Sequence, residues 1–563
     1  MIRAGGSLRD GGATEFETVI VGAGAVGVAL AQRLAGQIGR IALIEAGGAK
    51  FKPAQDLQFF KAAHINDSRH LPTELNRRRI LGGTTSVWGG RCIPLDPEDF
   101  APTRERPGWP IAFAEMNAHI ADALDFLDAG KPEFSAASAF ATHRVSIDKS
   151  AGDLDVDGIE RFSKPTNVWR KSGATLARSR DVTVIHGVTC TNIITNADGT
   201  RAVALEIRTV SNWSHKILAP VIVLACGGLE TPRLLLASRG TRSCGLGNEH
   251  DLVGRFYMTH LVSNASNAGA LRFATAETAR AFDYQMTLDE VYGRRMILLS
   301  PTARQREGLG NIVFRPSRPP IDDASHRDPV LSAMFLVRNL VIPPEYARSL
   351  VAGTGGFSRS RKWRDHGDNV IAGFPRLCGF SVEWLRRRVC ARRKLPSVFL
   401  YRTDGTYPLE FNAEHMPNAE SRLLLGGETD PFGMPRLVVR WQMRDSELAW
   451  ICRAYRVLAV AVGKSGLGEV RLDPDLPASI EHVLVPQGGH HIGTVRMGAD
   501  PRTGVVDPNG EVWGTRGLFV AGTAIFPTSG FANPTLTAVA LAFRLAEHLL
   551  RRKDAEAEVR LRG

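Results

Sequence analysis

Nowhere in the 563 residues does an apolar run approach the ~18 positions needed to cross a bilayer, and Met1-Ile2-Arg3-Ala4-Gly5-Gly6-Ser7 lacks the apolar core of a secretory signal. The expectation is a soluble protein. Cysteine is scarce and scattered: Cys92, Cys190, Cys226, Cys244, Cys378, Cys390 and Cys452 are odd in number and form no Cys-X-X-Cys pair. Neither a disulfide framework nor a metal site is signalled, and a reducing cytoplasm fits best. Repeats and long low-complexity segments are missing too. What remains is an ordinary globular composition, 44% hydrophobic, long enough for two to four domains.

The formal charge of +12 raises the question of nucleic acid or an anionic surface. The basic residues do not gather around any nucleic-acid-binding module, so nucleic acid is not expected as a partner. They are densest from Arg359 to Lys394, where eleven Lys/Arg face only Asp365, Asp368 and Glu383 and alternate with Phe380, Trp384, Leu385 and Val389. This amphipathic segment suits either a solvated rim or a peripheral contact with membrane, an anionic partner or an anionic substrate.

The first chemical signal lies near the N-terminus. Thr18-Val19-Ile20-Val21 reads as a buried parallel strand and runs into Gly22-Ala23-Gly24-Ala25-Val26-Gly27 and a helix reaching about Gln37. Gly22 permits the tight turn, Gly24 lets backbone approach a pyrophosphate, and Gly27 lets helix and strand close up. A second strand, Ile41 to Ile44, ends at Glu45, eighteen positions beyond Gly27, where a carboxylate can take the ribose hydroxyls of an adenosine. The unit predicts a dinucleotide site. By itself it does not choose between NAD and FAD, although Glu45 would repel the 2′-phosphate of NADP.

Three further stretches carry chemistry. Arg79 to Cys92 packs four glycines and three hydroxyls into fourteen residues, a loop suited to wrap a ligand. Val221 to Leu224 reads as a buried strand leading into a helix over Thr231 to Ser238. Near the C-terminus, Gly488-Gly489-His490-His491-Ile492-Gly493-Thr494 is followed by Gly530-Phe531-Ala532-Asn533-Pro534-Thr535. A neutral imidazole can take an alcohol proton at neutral pH, and spacing alone leaves His490 and His491 equally placed for it. Asn533 before Pro534 reads as a helix N-cap, with Leu536, Val539, Ala540, Phe543, Ala546 and Leu549 forming a buried face beyond it.

These stretches occur, in this order, in the glucose-methanol-choline (GMC) family of FAD-dependent oxidoreductases, which the chain resembles over about half its length. The Leu252-Val253-Gly254-Arg255 stretch leading to His260 belongs to the same pattern. The last segment is similar to bacterial sugar-oxidising and pyranose-oxidase-like members, where Asn-Pro-Thr stands in place of a second histidine. The resemblance implies FAD held by Gly22, Gly24, Gly27 and Glu45 at its ADP half and by Gly82, Gly83, Thr84 and Thr85 along diphosphate and flavin. Val188 would offer adenine a backbone contact, and Gly522 would allow the flavin close approach. Val87 stands where some relatives tether FAD through histidine, so the flavin is expected to be non-covalent. His490 matches the family's catalytic imidazole, Asn533 would orient the substrate oxygen opposite it, and the Thr535 helix end would face the flavin. The expected reaction is oxidation of an alcohol, on a sugar or glycoside, with hydride passing to flavin N5 and onward to oxygen, a quinone or a carrier protein. An NAD-dependent dehydrogenase, and a flavin-binding protein with other chemistry, stay as alternatives.

The expected fold is α/β: a Rossmann-like FAD domain assembled from residues 14–105, 165–265 and 485–555, and an α+β substrate domain over 266–484 built on an antiparallel sheet. Residues 106–164 would form a connecting or lid segment, with flexible termini at 1–13 and 556–563. Ser397 to Tyr401, Ser421 to Leu425 and Arg436 to Arg440 are strand candidates in the substrate domain, and Val341 to Asp368 is the candidate mobile loop.

Overall fold

A computed structural model describes residues 1–141, 145, 152–164, 166–211, 213–263, 268–341 and 359–562. The β-branched runs at Thr18–Val21, Ile41–Glu45 and Val221–Leu224 are buried throughout or nearly so, as expected of strands covered on both faces. They form the centre of a six-stranded parallel sheet, ordered Ile2–Ala4, Val182–His186, Ile41–Glu45, Thr18–Val21, Val221–Leu224, Leu518–Val520. The fingerprint helix Ala25–Leu34 stops before Gln37 because Gly36 turns left-handed at φ 78°. It packs against the long C-terminal helix Thr535–Arg562.

The second sheet is antiparallel and eight-stranded. Its long strand Thr406–Ala413 pairs with Ile312–Pro316 on one side and with Gly269–Phe273 and Leu261–Ser263 on the other. Side-chain alternation divides its work. Leu409 and Phe411 lie on one face with Tyr455 of the helix Asp445–Ser465, whose hydroxyl donates to Leu409 O at 3.0 Å. Asn412 and Arg315 occupy the opposite face, where Asn412 Nδ2 donates to Phe531 O at 2.7 Å and so meets the C-terminal motif.

Several sequence expectations change here. Residues 1–13 are not a free tail, since Ile2–Ala4 hydrogen-bonds as the edge strand beside Val182–His186. The described residues of 106–164 do not form a separate lid: Trp109 is buried with its indole N–H on Thr528 Oγ1 at 2.8 Å, and Ile159–Phe162 pairs with Arg91–Cys92 and Tyr292–Arg295. At the other end, residues 556–562 continue the C-terminal helix. His64–Ile65, placed with the FAD pieces, pairs instead with Pro435–Arg440. That strand and Arg422–Thr429 form where expected, but Ser397 to Tyr401 has no strand partner; Phe399 stacks on Tyr407 at 5.0 Å without backbone pairing. Of the candidate loop Val341 to Asp368, residues 342–358 lie outside the described residues, and Arg359–Ala372 is a helix. No helix among the described residues is long and apolar enough to cross a membrane.

The helix after Val221–Leu224 begins at Gly227 rather than Thr231, which puts Pro232 inside it. A proline there cannot donate to the carbonyl four residues back, Gly228 O. The buried Thr494 hydroxyl supplies that bond at 2.7 Å, stitching the His490 segment onto the helix. Thr494→Val is therefore expected to lose about 1–3 kcal/mol of stability, the cost of an orphaned buried carbonyl, while Thr494→Ser keeps it. Equal thermal midpoints for wild type and both variants would contradict this role.

Candidate active site

The cofactor cradle follows from glycine geometry. Gly22 has φ 107°, and a Cβ there would lie 2.5 Å from Ala225 O; a Cβ on Gly27 would collide with Gly22 O. Gly24 faces open space. The glycine-rich loop is tied to this turn by Gly82 N–H donating to Ala23 O at 2.8 Å, and Gly83 sits so close that a Cβ would be 3.0 Å from Gly24 Cα. Thr85 Oγ donates to Gly82 O at 2.5 Å and holds the loop's turn.

These elements enclose one cavity, lined by Gly22, Gly24, Glu45, Gly83, Thr84, Thr85, Val188, Gly522 and Thr535. Gly27 and Gly82 do not line it; they act by close packing behind the wall. Glu45 Oε2 accepts from Ala23 N–H at 2.9 Å and Oε1 from Gly47 N–H at 2.8 Å. Burial pushes its carboxyl up to about 7, against the pull of those two donors and Arg79. Hydroxyl donors reaching the remaining lone pairs would favour its ionised form.

The C-terminal motif meets the cavity through His491 and Gly489. His490 and His491, adjacent in sequence, enter two separate hydrogen-bond chains, and each chain ends on a backbone carbonyl that fixes its tautomers. His260 Nε2 lies 3.2 Å from Ser529 O, an acceptor only, so Nε2 carries the proton. His260 Nδ1 is then an acceptor, and His490 Nδ1–H donates to it at 2.7 Å. The lone pair of His490 is thereby left on Nε2, which faces Asn533 Nδ2 at 3.2 Å. In the second chain, His70 Nδ1–H donates to Leu71 O at 2.6 Å, the Tyr257 hydroxyl donates to His70 Nε2 at 2.8 Å, and His491 Nδ1–H donates to the Tyr257 oxygen at 2.8 Å. His491 Nε2 is buried and has no protein partner.

Burial dominates the electrostatics of both chains. It pushes His490 well below the usual histidine range, helped by His260, His491 and Arg91, and it pushes His260 down to about 4. Both rings are neutral near pH 7, as the tautomer assignment requires. Arg91 and Arg315, whose charges act on His490 and His260, are both held by Glu160 Oε2, Arg315 Nε at 2.9 Å and Arg91 Nε at 3.1 Å. Arg315 Nη2, Asn412 Oδ1 and Asn533 Oδ1 are buried side-chain atoms without a protein partner.

One local reading of Asn533 is corrected. Pro534 O accepts the first helical bond from Ala538 N–H at 2.9 Å, so Asn533 stands one residue outside the cap. Its side chain turns to His490 and leaves the helix end uncapped. The positioning roles of His260, Tyr257, His70 and Thr494 were not read from the sequence. For His260 a signal existed, its place after Leu252–Arg255, but its partner is 230 positions away.

A parallel dinucleotide sheet roofed by an antiparallel sheet, with paired histidine chains at their junction, defines a two-part oxidoreductase fold. Models of the GMC oxidoreductase family match residues 154–262 and 417–542 of the chain. A C-glycoside 3-oxidase from Microbacterium trichothecenolyticum is 37% identical over 142 residues, 25% of this chain and 26% of the relative. Paromamine 6'-oxidase from Streptomyces fradiae is 23% identical across 94% of this chain and 91% of its own. The matches to the C-glycoside 3-oxidases thus span about a quarter of those proteins. Among solved structures, pyridoxine 4-oxidase from Mesorbium loti superposes with TM-score 0.55 at 18% identity over 95% of this chain and 99% of its own. Formate oxidase does so with TM-score 0.53 at 15% identity over 98% and 100%. The family's cofactor is FAD. The residues here fit it: the cavity walls that approach the fingerprint are glycine, and Glu45 stands at their end.

Proposed function

We propose that the chain oxidises an alcohol group of a sugar or glycoside, with FAD held non-covalently. The observation that carries this reading is His490 Nε2, its lone pair oriented by His260 and set 3.2 Å from the Asn533 amide. A substrate hydroxyl that reaches both atoms, taking the place of their direct contact, would donate its proton to His490 Nε2 while its oxygen accepts from Asn533 Nδ2. FAD, when bound, supplies the acceptor for the hydrogen on the carbinol carbon. Proton removal raises charge on the substrate oxygen, which the imidazolium of His490 and the Asn533 amide stabilise together.

At the cofactor, Gly22 and Gly24 would admit the diphosphate, Glu45 the ribose, and Thr84, Thr85 and Gly522 the remainder. Val188 N–H is engaged with Glu45 O at 3.3 Å, so its contact to adenine would run through the carbonyl. The Thr535 helix end lends its N–H groups to negative charge at that side of the cavity. Val87 in the loop offers no atom for a covalent tether.

A substrate with more than one hydroxyl is supported by Asn533 Oδ1, a buried polar atom without a protein partner on the same side chain that meets His490, because a second hydroxyl could serve it. The relatives named for C-glycoside and paromamine oxidation point the same way. Seven unpaired cysteines support a reducing cytoplasm. Electron delivery to oxygen, a quinone or a carrier protein is decided by re-oxidation after substrate reduction, with air and artificial acceptors compared.

The depressed His490 sets the pH dependence. Its neutral form persists below pH 6.5, so kcat/KM is expected to hold as pH falls through 6.5 and to drop only at the lower, folded-state value. An acidic limb centred at or above 6.5 would contradict the assignment.

A further inference from the structure

The segment Arg359 to Lys394 has an unusual surface. Ile371, Phe374, Cys378, Val382, Leu385 and Val389 follow one another at spacings of three and four, the repeat that places side chains on one face of a helix. They span the end of the helix Arg359–Ala372, the helix Phe374–Trp384 and the π-turn Leu385–Cys390. The large apolar members of this stripe are 48–76% exposed, and neither Phe374–Trp384 nor Leu385–Cys390 has a buried residue. Helices of this protein elsewhere bury their apolar stripes, as Asp445–Ser465 does with Trp450, Ile451, Tyr455 and Leu458.

The surrounding arginines have two different jobs. Arg387 donates to Tyr284 O at 3.3 Å and Arg393 to Asp128 O at 3.0 Å, so these two clamp the segment to the body of the protein, while Arg388 donates to Leu395 O within the segment itself. The stripe is therefore presented on a fixed support. Arg364, Arg386, Arg392 and Lys394 are exposed around it, and the Arg386 side chain is 75% exposed even with Glu383 beside it. Trp363 and Trp384, both exposed, stand near the stripe among these cations.

We propose that this face docks the protein on an anionic membrane surface, with the apolar stripe entering the headgroup–acyl boundary and the exposed arginines and lysine engaging lipid phosphates. Exposed aliphatic and aromatic side chains along successive helical turns, accompanied by Arg, Lys and Trp, match what an interfacial segment needs: apolar area to bury and cations to meet negative headgroups. A second copy of the chain is a poorer occupant. Two copies meeting through this face would bring like charges together around the stripe, which costs energy that anionic lipid would instead supply. This docking face stands apart from the oxidation chemistry and would serve with any substrate.

The test is co-sedimentation of the purified full-length protein with vesicles of phosphatidylcholine alone or of phosphatidylcholine mixed with phosphatidylglycerol. Binding to the mixed vesicles is expected, weakening as salt rises and falling steeply on phosphatidylcholine alone. Arg386→Gln, Arg392→Gln and Lys394→Gln should each weaken binding about fivefold. The triple change Val382→Ser, Leu385→Ser and Val389→Ser should abolish it. These side chains are exposed, so bound flavin absorbance and circular dichroism should match wild type and separate lost docking from misfolding. Wild-type protein remaining in the supernatant with mixed vesicles would overturn the proposal. So would serine variants that sediment like wild type, or a lipid-free wild-type dimer that the serine variants convert to monomer.

Discussion

Replacing His490 by alanine is expected to lower kcat for alcohol oxidation by about 10²–10⁴-fold, the usual contribution of a well-placed proton acceptor, and to leave FAD bound. The two outcomes separate because His490 does not line the cofactor cavity, whereas its neighbour His491 does. His490 Nε2 is the ring atom left without a proton, and its nearest side-chain partner is the Asn533 amide rather than another acceptor. With the imidazole gone, a substrate hydroxyl at that position would have only Asn533 to hold it, and an amide cannot accept the proton. Exogenous imidazole entering the vacated space should restore part of the rate. Steady-state kinetics with flavin absorbance recorded on the same sample reads both quantities. A variant as fast as wild type would remove His490 from the chemistry.

The second large effect belongs to His260, which touches no substrate in this account and acts by orienting His490. His260→Leu removes the acceptor for His490 Nδ1–H, so the imidazole loses both its orientation and its preference for carrying the proton on Nδ1. Loss of a ligand-orienting partner of this kind costs about 10- to 100-fold. The loss should appear in kcat more than in KM. His260→Asn distinguishes orientation from bulk packing, because its carboxamide can accept from His490 with one end and donate to Ser529 O with the other. Recovery of much of the rate in the asparagine variant is expected, with an acidic limb close to wild type. If leucine and asparagine variants are equally impaired at unchanged pH profile, His260 is a packing residue only.

Legibility in the sequence followed the range of the contacts. The fingerprint could be read because its partners are near neighbours: Glu45 accepts from Ala23 and Gly47, and Gly27 packs on Gly22 within one turn and helix. The pair His490 and Asn533 was readable as two glycine-framed motifs, although the family resemblance was needed to choose between the adjacent histidines. Their separation in space has a clear physical origin. Backbone hydrogen bonds from Ile492 to Met258 fix the segment, Tyr257 and His260 lie on either side of that bridge, and each captures one imidazole. No local pattern carries this, because the segment that provides it lies more than two hundred residues earlier.

Other misses are local signals that tertiary structure overruled. Asn533 before Pro534 has the composition of a cap, but His490 offers its side chain a partner while the helix begins a residue later. Ser397 to Tyr401 has the apolar run of a strand and finds no backbone edge to join. Ile2–Ala4 has too few residues to register as a strand, and it is held by parallel pairing to Val184–His186. The amphipathic segment Arg359 to Lys394 was visible as a charge pattern. Only the structure divides its arginines into those that clamp the backbone and those that remain exposed beside an uncovered apolar stripe.

The most direct measurement is an anaerobic absorbance titration of the purified protein with a panel of sugars, glycosides and simple alcohols, run in parallel on wild type and His490→Ala. A flavin spectrum is expected in both proteins and bleaching by a sugar or glycoside in wild type, with bleaching slowed by about 10²-fold or more in the variant. A protein without flavin absorbance, or a variant that bleaches as fast as wild type, would contradict that expectation.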